Sequence, residues 1–162
     1  MKNTIYNFPL GSLYISAEND SITHITFLDA DTRKKFRIMP AAAIWLDLPP
    51  ILQACVDELD AYFAGKLKEF TVPIAPQGTP FRQQVWQALM TIGYGQTISY
   101  KELAQHIGNP KAIRAVGGAN HHNPISIIVP CHRVIGANGK LVGYGGGLSN
   151  KEFLLELEKK YM

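Results

Sequence analysis

Two short runs rich in β-branched and aromatic residues, Leu13-Tyr14-Ile15 and Ile22 to Phe27, flank the polar Glu18-Asn19-Asp20-Ser21 and predict a β-hairpin. Asp29 to Ala43 shows no period and reads as irregular. Ile51, Leu52, Cys55, Val56, Leu59, Tyr62 and Phe63 then recur at helical spacing, with Gly65 placed to stop the helix. Cys55 falls on that apolar stripe and reads as core packing. Lys66 to Gly78 returns to extended structure and carries Pro73, Pro76 and Gly78, which predicts a linker and a domain boundary.

The second half opens on Thr79-Pro80, an N-cap followed by proline at the first helical position, with Phe81, Val85, Trp86, Leu89 and Met90 as the expected buried face and Gly93 and Gly95 beyond its end. Ser99-Tyr100-Lys101-Glu102 has the form of a capping box and predicts a short helix stopped by Gly108. Asn109-Pro110 predicts a second helix from about Lys111 to Ala119, its inner face Ala112, Ile113, Val116 and Ala119. Two short helices joined through Gly-Asn-Pro suggest a helix-turn-helix, although any two-helix hairpin shares these features. The run Ser126 to Val129 reads as a buried strand ending at Pro130-Cys131-His132-Arg133, followed by a hairpin turning at Asn138-Gly139. After the loop Gly143 to Gly147, a second capping box, Ser149-Asn150-Lys151-Glu152, predicts a last helix with Phe153, Leu154, Leu157 and Tyr161 inward and Glu158 at the edge of that face.

Composition adds limits rather than a function. A chain of 162 residues, 46% hydrophobic and 18% charged, with 2 cysteines, is ordinary for one soluble unit or two small ones. At that size folding hides roughly 70% of the surface of the unfolded chain, so neither disulfides nor a structural metal is needed for a core. No apolar run approaches membrane length, and the start lacks the form of a signal peptide, so the expectation is a cytoplasmic protein with free thiols and no membrane contact. The net charge of +3 divides unevenly, −2 over residues 1–78 and +5 over 79–162. That asymmetry fits a polyanionic partner for the second half and equally a solvated basic face. The triple glycine lacks the Gly-Lys-Ser/Thr ending of a phosphate loop, and neither the two distant cysteines nor adjacent His121-His122 supplies a usual zinc set, so no cofactor and no metal are expected.

Cys131, at the end of an apolar run beside His132 and Arg133, is a candidate nucleophile, because a thiolate is the reactive form and a nearby imidazole can take its proton. Side chains adjacent in an extended segment point apart, which leaves direct Cys131–His132 contact open and makes a bridging water the alternative route for the proton. Glu158 is a candidate to orient the imidazole. A merely buried thiol is the competing reading. On the outer side of the second short helix, Lys111, Arg114, Ala115, Gly117 and Gly118 would allow close approach to a phosphate backbone, or tight helix packing.

Pro130-Cys131-His132-Arg133-Val134-Ile135, preceded by Arg114-Ala115-Val116-Gly117-Gly118-Ala119 and Asn123-Pro124, resembles the active-site signature of the O6-alkylguanine-DNA alkyltransferases, also called methylated-DNA-protein-cysteine methyltransferases. The resemblance runs from about Thr79 to the C-terminus and takes in Ile98-Ser99-Tyr100, Gly108-Asn109-Pro110, Tyr144 and Lys151-Glu152-Phe153-Leu154-Leu155. The first half resembles the family's variable N-terminal domain in length and in its strand-then-helix order. The resemblance implies an α+β protein: a small, ribonuclease H-like sheet-plus-helix domain over residues 1–76 with a linker at its end, then a mainly helical domain over 77–162 that carries the helix-turn-helix and the alkyl acceptor.

The activity it implies is irreversible transfer of an alkyl group from O6 of guanine in duplex DNA, and conceivably from O4 of thymine, to Cys131. His132, through a water and held by Glu158, would help form the thiolate; Asn123 would brace the active-site segments; Tyr100 would crowd the target phosphate and protonate the leaving guanine. Arg114 would fill the stack when the damaged nucleotide swings out, within a minor-groove surface of Lys111, Ala115, Gly117, Gly118, Ala119, Tyr100 and Arg133. Val129, Pro130, Tyr144, Gly145 and Gly146 would wall the base pocket. The expected partner is double-stranded DNA carrying O6-alkylguanine, bound by a monomer. The chain lacks the cysteines of the family's zinc-bearing forms, and Cys131 sets it apart from a related group with tryptophan at that position. Two rival readings are a lesion-recognition DNA-binding protein with an unreactive Cys131 and a Cys-His-Glu hydrolase; stoichiometry separates all three.

Overall fold

A computed structural model describes residues 2–29, 48–141, 144 and 146–162. The chain divides into two compact units, Met1–Pro76 and Gln77–Met162. Apart from Asp29, the irregular stretch expected up to Ala43 lies outside the described residues.

In the first unit β1 (Lys2–Phe8), β2 (Gly11–Glu18) and β3 (Ser21–Phe27) form an antiparallel meander in that order. The predicted hairpin is β2–β3, and its turn places Asn19 and Asp20 at φ 51° and 58°, the left-handed region those two residue types tolerate best. β1 was not predicted, since asparagines interrupt its apolar positions. It pairs with β2 from Lys2 opposite Ala17 to Phe8 opposite Gly11, and Tyr6 and Phe8 both stack on Phe63 of α1 (Pro50–Phe63). Helix α1 buries Leu52, Cys55, Leu59 and Tyr62 as its period predicts. It ends in a Schellman closure, with Gly65 at φ 74° donating to the Tyr62 carbonyl and Lys66 to the Ala61 carbonyl. The stretch expected as a linker is docked up to Pro76. Ile22 donates to the Pro73 carbonyl at 2.8 Å and Ala75 to the Ile22 carbonyl at 2.8 Å, so Ile74 forms a parallel bridge with β3. The Glu58 carboxylate accepts from the Thr71 and Val72 amides.

In the second unit the Thr79 hydroxyl caps α2 (Pro80–Leu89), which buries Val85, Trp86 and Leu89; Phe81 is half-buried, and Met90, expected inside, is exposed. The short β4 (Ile98–Ser99) leads into α3 (Tyr100–His106), where both halves of the Ser99–Glu102 capping box are made. Gly108, at φ 75°, ends that segment. Helix α4 is Ile113–His121 and starts later than predicted, because a turn from Asn109 to Ala112 takes up Lys111; its buried residues are Val116, Ala119 and Asn120, with Ile113 exposed.

Residues Ser126–Val129 are buried for the most part but form successive turns, not a strand, with Ile127 at φ 74°. β5 (Val134–Ile135) pairs in parallel with β4. The turn at Asn138–Gly139 is present, with Gly139 at φ 79°, but no returning strand occurs among the described residues. Helix α5 (Leu148–Lys160) starts from Gly147 at φ 94°, which puts Ser149 inside the first turn, so the predicted capping box there is not made.

Candidate active site

Asn123, just past α4, sets the first piece of the site. Its Nδ2 donates to the Val129 carbonyl at 2.8 Å and its Oδ1 accepts from the Ile125 amide at 3.0 Å, clasping the turn that carries strained Ile127. Cys131 then donates its backbone N–H to the Val129 carbonyl at 2.8 Å and opens a single 3-10 turn, Cys131–Arg133. The Cys131 segment is therefore turned rather than extended, and the strand argument for the relative directions of Cys131 and His132 does not apply.

His132 and Glu158 are both fully buried, with Nε2 to Oε2 at 2.7 Å. Glu158, expected at the edge of the inner face of α5, is at its centre. Its carboxylate also accepts from Arg133 Nε at 2.8 Å, Arg133 Nη2 at 3.0 Å and the Gly95 amide at 3.2 Å. Burial alone would push this carboxyl up, but hydrogen bonds and charge from His132 and Arg133 outweigh it and hold the group below the usual carboxylate range. Burial holds His132 below its ordinary value, with Arg133 and Lys151 adding to the effect and Glu158 opposing it. A neutral imidazole facing an ionised carboxylate carries its proton on Nε2. Nδ1 is thereby left as an acceptor, and it has no hydrogen-bond partner among the described residues.

Cys131 is 3% exposed. Burial raises its thiol pKa, while the nearby polar side chains of Asn123 and Tyr144 and the charge of Lys151 pull the other way. Lys151 also lines the site, although the sequence marks it only within the Ser149–Glu152 pattern and the matching run Lys151–Leu155. Fully buried, it donates to the Val134 carbonyl at 2.6 Å, with Nζ 6.0 Å and 5.9 Å from the ring centroids of Tyr100 and Tyr144. Burial lowers its pKa, opposed by the Cys131 charge. The signal was in phase: Lys151, Leu154 and Glu158 form the buried stripe of α5, two of them ionisable. Asn120 was also missed; it donates to the Cys131 carbonyl at 3.4 Å and hydrogen-bonds the Tyr100 side chain.

The structure thus brings together Cys131, His132, Glu158, Asn123, Tyr100 and Tyr144, with buried Val129 and Pro130 just before Cys131. Gly146 is half-buried and its carbonyl accepts from Asn150; Gly145 lies outside the described residues. On α4 and the turn before it, Lys111, Arg114, Ala115 and Gly118 are exposed and Gly117 is half-buried. Two residues expected at the DNA surface are not on it. Ala119 is buried, its carbonyl accepting from Trp86 at 2.9 Å, and Arg133 is 7% exposed, its guanidinium held by Glu158 and the Ile92 carbonyl. Cys55, the other thiol, is buried and pushed up to about 12 by burial and by Glu58. Among the described residues no group of three or more His, Cys, Asp or Glu could hold a metal ion, and no helix is long and apolar enough to cross a membrane.

Residues 1–76 match the ribonuclease-like domain of 6-O-methylguanine DNA methyltransferase, and residues 80–160 match its DNA binding domain. The chain belongs to the 6-O-methylguanine DNA methyltransferase family. Among the family's members, the methylated-DNA–protein-cysteine methyltransferase of Methanosarcina acetivorans is 48% identical over 158 residues, 98% of each chain. The crystal structure of Mycobacterium tuberculosis O6-methylguanine methyltransferase matches with a TM-score of 0.84 at 47% identity, covering 99% of this chain and 93% of that one. The M. tuberculosis OGT solved in complex with DNA matches with a TM-score of 0.83 at 48% identity, covering 97% of this chain and 92% of that one.

Proposed function

We propose that this protein repairs alkylated duplex DNA by moving the alkyl group from O6 of guanine onto the Cys131 sulfur, once per molecule. The observation that carries the reading is the proton arrangement at the acceptor: a buried thiol beside an imidazole whose Nε2 is fixed by Glu158 and whose Nδ1 is an acceptor. In this reading the thiol proton passes through a water to His132 Nδ1. The thiolate pair forms the S–C bond, the C–O6 pair leaves with guanine, and Tyr100 supplies a proton to that leaving group. Lys151 offsets the thiolate charge and Asn123 holds the acceptor turn.

The reacting carbon lies within the base stack, so the nucleotide has to be flipped, at a cost of a few kcal/mol that a mispaired lesion lowers. Exposed Arg114 on α4 is long and planar enough to fill the gap, and small Ala115, Gly117 and Gly118 let the helix approach a minor groove closely. The first test is intact mass after incubation with a duplex containing one O6-methylguanine. A gain of one methyl per chain, absent from Cys131→Ser, is expected; lesion binding without mass gain would instead identify a recognition protein, and turnover a hydrolase.

A further inference from the structure

Helix α4 turns two faces to two tasks. Its exposed side carries Arg114, Ala115 and Gly118, whereas its last turn sends one polar side chain inward, where its other buried residues, Val116 and Ala119, are apolar. That side chain is Asn120, 2% exposed. Its Nδ2 faces the Cys131 carbonyl at 3.4 Å, an orientation fixed by chemistry, since the amide oxygen there would set two acceptors against each other. The amide also bonds the Tyr100 side chain, acting as a donor toward the phenol oxygen. One turn earlier on the same helix, Gly117 lies alongside the Tyr100 ring, close enough that a Cβ there would be in ordinary contact with it, 3.8 Å from Tyr100 Cδ1. The helix therefore runs alongside Tyr100, with Gly117 beside the ring and Asn120 bonded to its side chain.

Asn120 Oδ1 is buried and has no hydrogen-bond partner among the described residues. Burying an amide with half of it unsatisfied costs free energy that an apolar side chain at this position would not. A residue kept at that cost points to a use for the other half, its N–H donors.

We propose that Asn120 is a positioning residue for the transfer step, holding the Tyr100 hydroxyl beside Cys131 and stabilising the phenolate left when that hydroxyl gives its proton to the departing guanine. The inference rests on the reading of Tyr100 as proton donor. The thiolate pair makes the S–C bond and the C–O6 pair departs with guanine. The Tyr100 proton neutralises that pair, and the negative charge comes to rest on the phenol oxygen, where an Asn120 N–H donates. The proton released earlier by the thiol restores the tyrosine.

The test compares full-length wild type, Asn120→Leu, Asn120→Ala, Tyr100→Phe and the Tyr100→Phe/Asn120→Leu pair. Two reactions of Cys131 are followed by intact mass: single-turnover methyl transfer from a duplex with one O6-methylguanine, and alkylation by iodoacetamide, whose iodide leaving group needs no proton. Asn120→Leu and Asn120→Ala are expected to slow methyl transfer at least tenfold while iodoacetamide labelling stays within threefold of wild type. Adding Asn120→Leu to Tyr100→Phe is expected to slow transfer no further. The proposal is overturned if both reactions slow in step, if the pair loses as much again as the single variant, or if transfer is unchanged. Should Asn120→Leu fold poorly by its melting curve, Asn120→Ala carries the same comparison. Wild type that labels with iodoacetamide but never gains a methyl overturns the underlying repair reading, and this proposal with it.

Discussion

Glu158→Gln is the substitution that separates charge from shape at this site. Glutamine fills the same volume, but the buried Arg133 guanidinium, which donates to both carboxylate oxygens at 2.8 Å and 3.0 Å, loses its counter-charge. Removing one partner of a buried ion pair costs about 3–5 kcal/mol, chiefly because the other charge is left in a low-dielectric setting. With a urea slope of about 1.5 kcal/mol/M, the lower figure moves the unfolding midpoint down by about 2 M. The same change acts on the imidazole, because an amide N–H directed at His132 Nε2 favours the tautomer with the proton on Nδ1 and removes the acceptor that the thiol needs. Urea unfolding and single-turnover methyl transfer, both at pH 7.5, measure the two effects. Arg133→Gln in the Glu158→Gln background should restore part of the stability, since no buried charge is then stranded, without restoring transfer. A single variant within 1 kcal/mol of wild type, or a double variant less stable than the single, would show that the ion pair does not hold this region together.

Arg114→Ala, on an exposed position, should change stability by less than about 0.5 kcal/mol and reduce methyl transfer more than affinity for undamaged duplex; equal losses in stopped-flow and binding assays would count against a stack-filling role. Stability should fall on both sides of neutral pH. His132, held below its ordinary 6.5, leaves the folded state with fewer bound protons than the unfolded one as pH drops below that value; Cys131, held above its ordinary 9.0, leaves it with more as pH rises past that one. Each contributes up to about 1.4 kcal/mol per pH unit. In Cys131→Ser the alkaline limb should become shallower but not vanish, because Cys55, pushed up to about 12, contributes in the same sense; an unchanged limb in pH-dependent urea melts would reject the assignment to Cys131. A methyl group added to a thiol that is 3% exposed overpacks the Asn123 turn, so the methylated protein should be about 1–3 kcal/mol less stable; calorimetry showing an equal or higher melting temperature would refute this.

Features stated by a few neighbouring residues were legible in the sequence. Thr79-Pro80 and the Ser99–Glu102 box announce helix starts through local hydrogen bonds, and the structure makes both. The Ser149–Glu152 pattern has the same form, yet Gly147 at φ 94° begins the helix earlier, a backbone option that a cap pattern does not weigh. Ser126–Val129 misled for a different reason. An apolar run indicates burial, not conformation, and here a side chain, Asn123, satisfies the backbone groups that a neighbouring strand would otherwise have paired. Arg133 reads as a DNA contact on charge alone, whereas the partner that buries it, Glu158, is 25 residues away in sequence. Lys151 and Glu158 were visible as ionisable residues in phase with an apolar stripe, the point at which helical periodicity ceases to describe packing and begins to describe a site.

The near-complete burial of Cys131 also bears on how long the molecule remains usable. A protein consumed by its own reaction carries as many repairs as it has intact acceptor thiols, and any stray electrophile or oxidant that reached the sulfur would spend one. At rest the thiol is screened from solvent and protonated at neutral pH, the state least prone to oxidation and to adduct formation. Small electrophiles in solution therefore meet a screened, protonated sulfur, whereas the repair reading has the lesion carbon brought directly to it. Durability and selectivity are then one property, both set by the burial of a single sulfur.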